Sequence, residues 1–288
     1  MATQPSTAAL FPGQGCSLGE ARSLALRHCE ELYALSSELL GADPFERAGH
    51  STRYAQPAIF LASIAQWRAI AASGFRASAF AGHSLGELSA LTAAGVWSAA
   101  DGLRLVVQRA GLMADAGDRD DGGMLALLKG ELEQARELAE RFGVTLANDN
   151  AIGQVVLSGP RDALAAVADA ARASGMRAIA LDVTGAFHSP AMRPAVEPFR
   201  RAVEGVSPRD PAAPVLSGLS AQPFEDLPAQ LSEALCAPVR WRETVIALDR
   251  AGITRFVDVG PDVVLARLVR RSLPARDVLE AEELYVAA

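Results

Sequence analysis

The stretch Ser78-Ala79-Phe80-Ala81-Gly82-His83-Ser84-Leu85-Gly86 constrains this chain more than any other. A short apolar run enters it, a helix-forming run from Leu85 to Ala94 leaves it, and two glycines flank one serine in the spacing Gly-x-Ser-x-Gly. The context is that of a strand, a tight turn and a helix. Such a turn holds the Ser84 hydroxyl above a sheet end. It also aims the Leu85 N–H, at the helix N-terminus, toward the place where an oxyanion develops. The residues leave two readings open: Ser84 is a nucleophile, or it is a serine that caps a helix.

A strand-turn-helix belongs in an α/β layer, and the remaining pattern agrees. Short runs with strand character, Ala8 to Phe11, Ser78 to Ala81, Val215 to Ser217 and Arg255 to Val259, alternate with stretches of helical period. This predicts an α/β fold with a mostly parallel sheet. The middle differs. It reads as strand (Met124 to Leu128), helix (Glu131 to Phe142), strand (Val144 to Ala147), strand (Gln154 to Ser158), helix (Arg161 to Ser174) and strand (Arg177 to Val183). That βαββαβ order is ferredoxin-like. The polar, glycine-rich AGDRDDGG from Ala116 to Gly123 marks its start. We therefore expect a large α/β domain over 1–121 and 185–288, with an inserted subdomain over 122–184. The Pro-rich stretch from Ser207 to Pro214 reads as a loop into the Val215 strand, and the tail from Asp277 as acidic and helical.

Charge removes whole classes of partner. The net charge is −7, and phosphate binding rests on an excess of Lys and Arg, so nucleic acid is not expected. No apolar run approaches the ~18–20 residues of a membrane span. The N-terminus MATQPSTAALFPGQG lacks a basic n-region and a long apolar h-region. The three cysteines, Cys16, Cys29 and Cys236, have unrelated spacings, which argues for reduced thiols in a cytoplasm without disulfides or a zinc site.

A serine hydroxyl attacks only when a base takes its proton. Of the four histidines, His28 and His50 fall in a surface helix and a loop. His83 precedes the serine and should point away from its hydroxyl, lining the pocket. His188, in Thr184-Gly185-Ala186-Phe187-His188-Ser189-Pro190, follows the last strand of the inserted unit, where the chain returns to the large domain and faces a cleft. It is the best placed base. An α/β-hydrolase would carry a histidine near the C-terminus, and this chain has none after 188. Asp149 or Asp182 could serve as a third member.

With these residues in view, the chain resembles the malonyl-CoA:acyl-carrier-protein transacylases of fatty acid synthesis and the acyltransferases of polyketide synthases. The likeness covers nearly its whole length. It rests on FPGQG (Phe11 to Gly15), AQPAI (Ala55 to Ile59), GHSLGE (Gly82 to Glu87), QRAGLM (Gln108 to Met113), NDNAIGQVVLSG (Asn148 to Gly159), AFHSPAM (Ala186 to Met192), PVRW (Pro238 to Trp241) and VGP (Val259 to Pro261), in the family's order. The resemblance implies a hydrolase-like core with a ferredoxin-like insert. It implies Ser84 as nucleophile, His188 as base, and an oxyanion hole from the N–H groups of Leu85 and Gln14. It further implies a backbone carbonyl at Arg240 that orients His188, and Arg109 paired with the free carboxylate of a malonyl group. Phe187 matches a position where a bulky aromatic favours malonyl over α-methyl substrates.

The activity so implied moves malonyl from coenzyme A to the phosphopantetheine thiol of an acyl carrier protein, through a serine ester, by a monomer with no bound cofactor and no metal. An acyltransferase for another acyl group, an editing hydrolase and a silent carrier-binding module stay open as alternatives. Carrier proteins are typically acidic, so a −7 chain needs a local basic patch, with Arg193, Arg200, Arg201, Arg242 and Arg267 as candidates. Five positions depart from the family pattern: Cys16 and Ser17 after FPGQG, Ile152, Ala237 and Asp262.

Overall fold

The computed structural model describes residues 6–119 and 121–285. Its strands are β1 (Thr7–Phe11), β2 (Ala79–Gly82), β3 (Gly122–Leu128), β4 (Thr145–Ala151), β5 (Gln154–Pro160), β6 (Arg177–Ala180), β7 (Val215–Leu216), β8 (Arg255–Asp258) and β9 (Asp277–Glu280). Five form one sheet in the order β7-β2-β1-β8-β9, with every neighbouring pair parallel.

A parallel sheet is covered on both faces, so its strands are apolar throughout. In β1, Ala9 and Phe11 enter one core while Ala8 and Leu10 enter the other, and all four are fully buried. Phe80 and Val257 follow the first pair, and Ala79, Ala81 and Phe256 the second. The helices Thr52–Ala72 and Ala99–Gly117 cover the first face through Ile59, Phe60, Leu103 and Val106. The helices Trp241–Arg250 and Val264–Ser272 cover the second through Val245, Leu248, Leu265 and Leu268. Each large side chain so buried contributes about 1.5–3 kcal/mol.

The other four strands form an antiparallel sheet in the order β4-β5-β3-β6, the ferredoxin-like arrangement. Its alternation also serves two cores. Leu125, Leu127, Val155 and Leu157 pack on the helices Leu132–Phe142 and Arg161–Ala173, whereas Met124, Ala126 and Val156 join the core of the large sheet. Glu131 starts the first of these helices with a capping box to Gln134. The antiparallel sheet is tied to the segment that leads into the helix Trp241–Arg250, where Asp149 N–H donates to the Val239 carbonyl (3.0 Å) and Val239 N–H to that of Ala147 (2.9 Å).

Three expectations change. The tail from Asp277 is first a strand, β9, whose Val278 buries against the second core while Arg255 pairs with Asp277 across the ladder; only Glu282–Tyr285 is helical. β4 runs past Ala147 through Asn148-Asp149-Asn150, with two register shifts; there Asp149 Oδ2 accepts from Arg242 and Asn150 Oδ1 meets His83 Nε2. β6 stops at Ala180, three residues before Val183. Among the described residues no helix is long and apolar enough to cross a membrane.

Candidate active site

The site forms where β1 and β2 end, at the carboxyl edge of the parallel sheet and under the inner face of the antiparallel one. β2 turns at Ser84, which sits at φ +55°, and the helix Gly86–Ala93 begins two residues later. Glycine is enforced sterically on both sides. A Cβ on Gly82 would lie 1.9 Å from the Gly86 carbonyl carbon, one on Gly86 1.9 Å from the Phe11 oxygen, and one on Gly13 2.6 Å from the His83 oxygen. The Gly-x-Ser-x-Gly spacing is thus a packing requirement between the β1 and β2 turns. Gly13 also stands 3.5 Å, from that same added Cβ, to the Ser84 Cβ, which brings the Gln14 turn beside the serine.

Ser84 Oγ lies 2.8 Å from His188 Nε2. His188, at φ +57° and 4% exposed, is presented by a turn that Ser189 closes through its hydroxyl to the Ala186 carbonyl. Its Nδ1 faces two carbonyl oxygens, Ala234 at 2.9 Å and Ala237 at 3.2 Å. Two acceptors at Nδ1 require the hydrogen there, which leaves Nε2 a lone pair facing the serine hydroxyl. Burial first, and the Arg109 charge second, pull the His188 pKa down to about 3, so the ring is neutral at pH 7.

The base is therefore oriented by Ala234 and Ala237, which corrects the expectation of Arg240. Arg240 stands just before the helix Trp241–Arg250, and its carbonyl accepts from the Thr244 N–H and hydroxyl of the first turn. Neither Asp149 nor Asp182 bonds to His188: Asp149 pairs with Arg242 at 2.8 Å, and Asp182 lines the cleft.

Arg109 comes from the helix Ala99–Gly117 and is 4% exposed. Its Nη2 donates to Ser84 Oγ (3.1 Å) and its Nη1 to Gln56 Oε1 (2.6 Å). Burial lowers its pKa to about 10, partly offset by Glu87, so the guanidinium stays charged at neutral pH. No carboxylate forms a salt bridge with it among the described residues. A buried cation bonded only to neutral oxygens is a ready receptor for a carboxylate.

Gln14 Oε1 accepts from Thr52 Oγ1 (2.5 Å), and Gln56 Nε2 donates to Thr52 Oγ1 (2.9 Å). One network therefore joins Gln14, Thr52, Gln56, Arg109, Ser84 and His188. The backbone N–H groups of Gln14 and Leu85 donate to no acceptor among the described residues. His83 Nε2 meets Asn150 Oδ1 at 2.7 Å, and its ring packs edge-on against Trp241, so it faces away from Ser84 and lines the cleft. Phe187, 4% exposed, lines the same cleft of about 540 Å³, as do Cys16 and Leu18.

Thr52, Gln56, Glu87 and Asn150 carry no role in the sequence reading. Glu87 is fully enclosed, accepts from the Gly218 N–H at 2.7 Å, and burial raises its pKa to about 7. Gln56 had a signal: a polar residue on an otherwise apolar helical face must find a partner. Of the arginines expected to form a basic patch, Arg200 pairs with Glu204, Arg201 with Glu197, Arg242 with Asp149 and Arg267 with Asp262, while Arg193 forms no salt bridge among the described residues.

The acyl transferase domain family model matches residues 33–286. Polyketide biosynthesis protein ThaF of Burkholderia thailandensis is 36% identical over 93% of this chain, and the chain spans 24% of that protein's length. Malonyl CoA-acyl carrier protein transacylase of Synechocystis is also 36% identical, over 93% of this chain and 94% of its own. A solved type II polyketide synthase acyl-carrier protein in complex with its malonyl-transacylase, PlMCAT:AntF, superimposes with a TM-score of 0.87 at 31% identity, covering 96% of this chain and 94% of the other.

Proposed function

This chain belongs to the acyl transferase domain family, and from that premise we propose that it moves a malonyl group from coenzyme A to the phosphopantetheine thiol of an acyl carrier protein, through an ester on Ser84. The observation that carries the reading is the convergence on one oxygen. Ser84 Oγ touches a neutral histidine at 2.8 Å and an unpaired, buried guanidinium at 3.1 Å. A serine-histidine pair accounts for acyl transfer; the arginine accounts for an acyl group that ends in a carboxylate. The names of the relatives support the same substrate and partner.

In the first half-reaction the malonyl carboxylate pairs with Arg109, which sets the thioester carbonyl against Ser84. The Ser84 proton passes to His188 Nε2 as the Oγ–C bond forms, and the N–H groups of Leu85 and Gln14 receive the oxyanion. Collapse breaks the C–S bond, and the coenzyme A sulfur takes the proton from His188. In the second half-reaction the carrier thiol gives its proton to His188 and attacks the ester, and Ser84 leaves with that proton. Thioester-to-thioester exchange is nearly balanced, so the site's task is to lower the barrier and exclude water. The reaction needs no bound metal or redox group.

Charge couples substrate to base. Arg109 is the second cause of the depressed His188 pKa. A malonyl carboxylate offsets that cation, so its arrival strengthens the base it needs. In this reading residues 122–184 act as an inserted subdomain that roofs the cleft. Initial rates with both substrates varied test the ester: parallel double-reciprocal lines are expected, and intersecting lines would require direct transfer in a ternary complex.

A further inference from the structure

We propose that Thr52 is a positioning residue of the acylation step: its hydroxyl anchors the Gln14 turn, and with it the Gln14 N–H of the oxyanion hole, to the amide that holds Arg109. This rests on the reading above and deepens it, by assigning the residue that keeps the carboxylate receptor and the oxyanion donor in register.

Thr52 is the first residue of the helix Thr52–Ala72 and is 3% exposed. Capping is done by its neighbour Ser51, whose hydroxyl accepts from the Arg53 N–H. A threonine inside a helix can send its proton back to the carbonyl one turn earlier, as Thr92 does to Leu88 at 2.7 Å. At the first position the helix offers no such carbonyl, so a buried hydroxyl must find its acceptor elsewhere. It finds Gln14 Oε1 at 2.5 Å, 38 residues away in the chain. Gln56, one turn further along the same helical face, brings its Nε2 to Thr52 Oγ1 at 2.9 Å.

The direction of each bond in this chain is fixed from its far end. A guanidinium only donates, so the Gln56 atom that meets Arg109 Nη1 at 2.6 Å is the carbonyl oxygen, and the amide nitrogen faces Thr52. That nitrogen donates in turn, so Thr52 Oγ1 accepts from it and directs its own proton to Gln14 Oε1. The bonds therefore run one way, from Arg109 to Gln56 to Thr52 to Gln14. Aligned donors headed by a cation polarise one another along the chain. Gln56 Nε2 also approaches Gln14 Oε1 directly, but at 3.4 Å that contact is the weaker one.

The Gln14 end is where an anchor is needed. Gln14 stands between Gly13 and Gly15, and Gly15 sits at φ +101°. Glycines on both sides leave the main chain free to swing, so the backbone alone does not hold the Gln14 N–H on the oxyanion. Among the described residues the Gln14 side chain bonds only to Thr52 and Gln56, and Gln14 lines the cleft together with Ser84. Oxyanion stabilisation depends on donors already aimed at the place where charge develops. Thr52 supplies that aim without touching the substrate.

The test is a double-mutant cycle. Thr52→Val keeps the shape and removes the hydroxyl; Gln14→Ala keeps the backbone N–H and removes the anchored side chain. Acylation of Ser84 is followed with malonyl-CoA and with p-nitrophenyl acetate, an ester that has no carboxylate. Thr52→Val should slow acylation by both about 10- to 100-fold, short of the loss from a deleted oxyanion donor because the N–H is still present. KM for malonyl-CoA should stay within about threefold, since the contact acts in the transition state. Thr52→Ser, which restores the hydroxyl, should stay close to the wild-type rate. Gln14→Ala should match Thr52→Val, and the double variant should lose no more than either alone. Losses that multiply in the double variant overturn the proposal, because Thr52 would then support the fold generally. So does a wild-type rate in Thr52→Val, or a loss confined to malonyl-CoA, which would tie Thr52 to Arg109 alone. If Thr52→Val does not fold, Gln14→Ala breaks the same bond from the other side, and a wild-type rate there overturns the proposal. The acetate ester keeps the two readings apart: a wild type acylated by the ester and not by malonyl-CoA contradicts the proposed acyl group, while the cycle on the ester still decides the role of Thr52.

Discussion

Arg109→Ala separates substrate recognition from the serine chemistry. The wild-type side chain is 4% exposed and bonded only to Gln56 Oε1 and Ser84 Oγ, so no ion pair is broken by its removal. What is lost is the receptor for the incoming carboxylate. A charge entering a buried site without its partner costs roughly 3–5 kcal/mol. At 1.36 kcal/mol per decade that is about two to nearly four orders of magnitude in kcat/KM for malonyl-CoA. Acetyl-CoA brings no carboxylate. Its acylation of Ser84 should be spared or accelerated, because the Arg109 charge that depresses the His188 pKa is gone. Intact-mass time courses of the acylated enzyme with each thioester give the ratio directly. An equal loss for both substrates would assign Arg109 to the fold or to coenzyme A binding in general. A retained malonyl preference would mean that another group reads the carboxylate.

Gly86→Ala should destabilise the protein by more than about 3 kcal/mol, read as a large fall in Tm, because its Cβ meets the Phe11 backbone oxygen and carbon at 1.9 and 2.7 Å; a fall of a degree or two would show that the two turns are looser than drawn. Glu87 keeps its proton in the fold up to about pH 7 against an ordinary value of 4.5. It therefore contributes stability below pH 4.5 that is lost as pH rises to 7, and Glu87→Gln should gain about 3 kcal/mol on wild type between pH 4.5 and 8 in urea unfolding. A difference independent of pH would place the titration elsewhere. His188→Ala should slow Ser84 acylation by roughly 10²–10⁴-fold; survival within a few-fold would transfer the role of base to water.

The large sheet was legible because β1, β2 and β8 are short apolar runs with turn residues beyond them. The antiparallel sheet and its two helices were legible because their period switches between 2 and 3.6 in a fixed order. β9 was not, since Asp277-Val278-Leu279-Glu280 is too short and too acidic to signal a strand without its neighbour β8. At the site, Ser84 and His188 could be read from spacing and elimination, and the structure brings them to 2.8 Å. The carbonyls that hold His188 could not. Main-chain oxygens carry no sequence signature, and those of Ala234 and Ala237 come from a turn that side-chain types do not mark. The partners of Gln56 and Thr52 were hidden for a related reason: they lie 38 to 53 residues away, and only the folded helix aligns these side chains with Gln14 and Arg109. Which arginines meet a carboxylate was not legible either, since Arg242 and Asp149 lie 93 residues apart in the chain.

The central claim is a malonyl ester on Ser84. Incubation of the protein with malonyl-CoA alone, followed by intact-mass measurement and peptide mapping, tests it most directly. One malonyl adduct is expected on the peptide containing Ser84, formed before any carrier is added and absent in Ser84→Ala. An adduct that persists in Ser84→Ala, or transfer to the carrier without an adduct at any time, would contradict it.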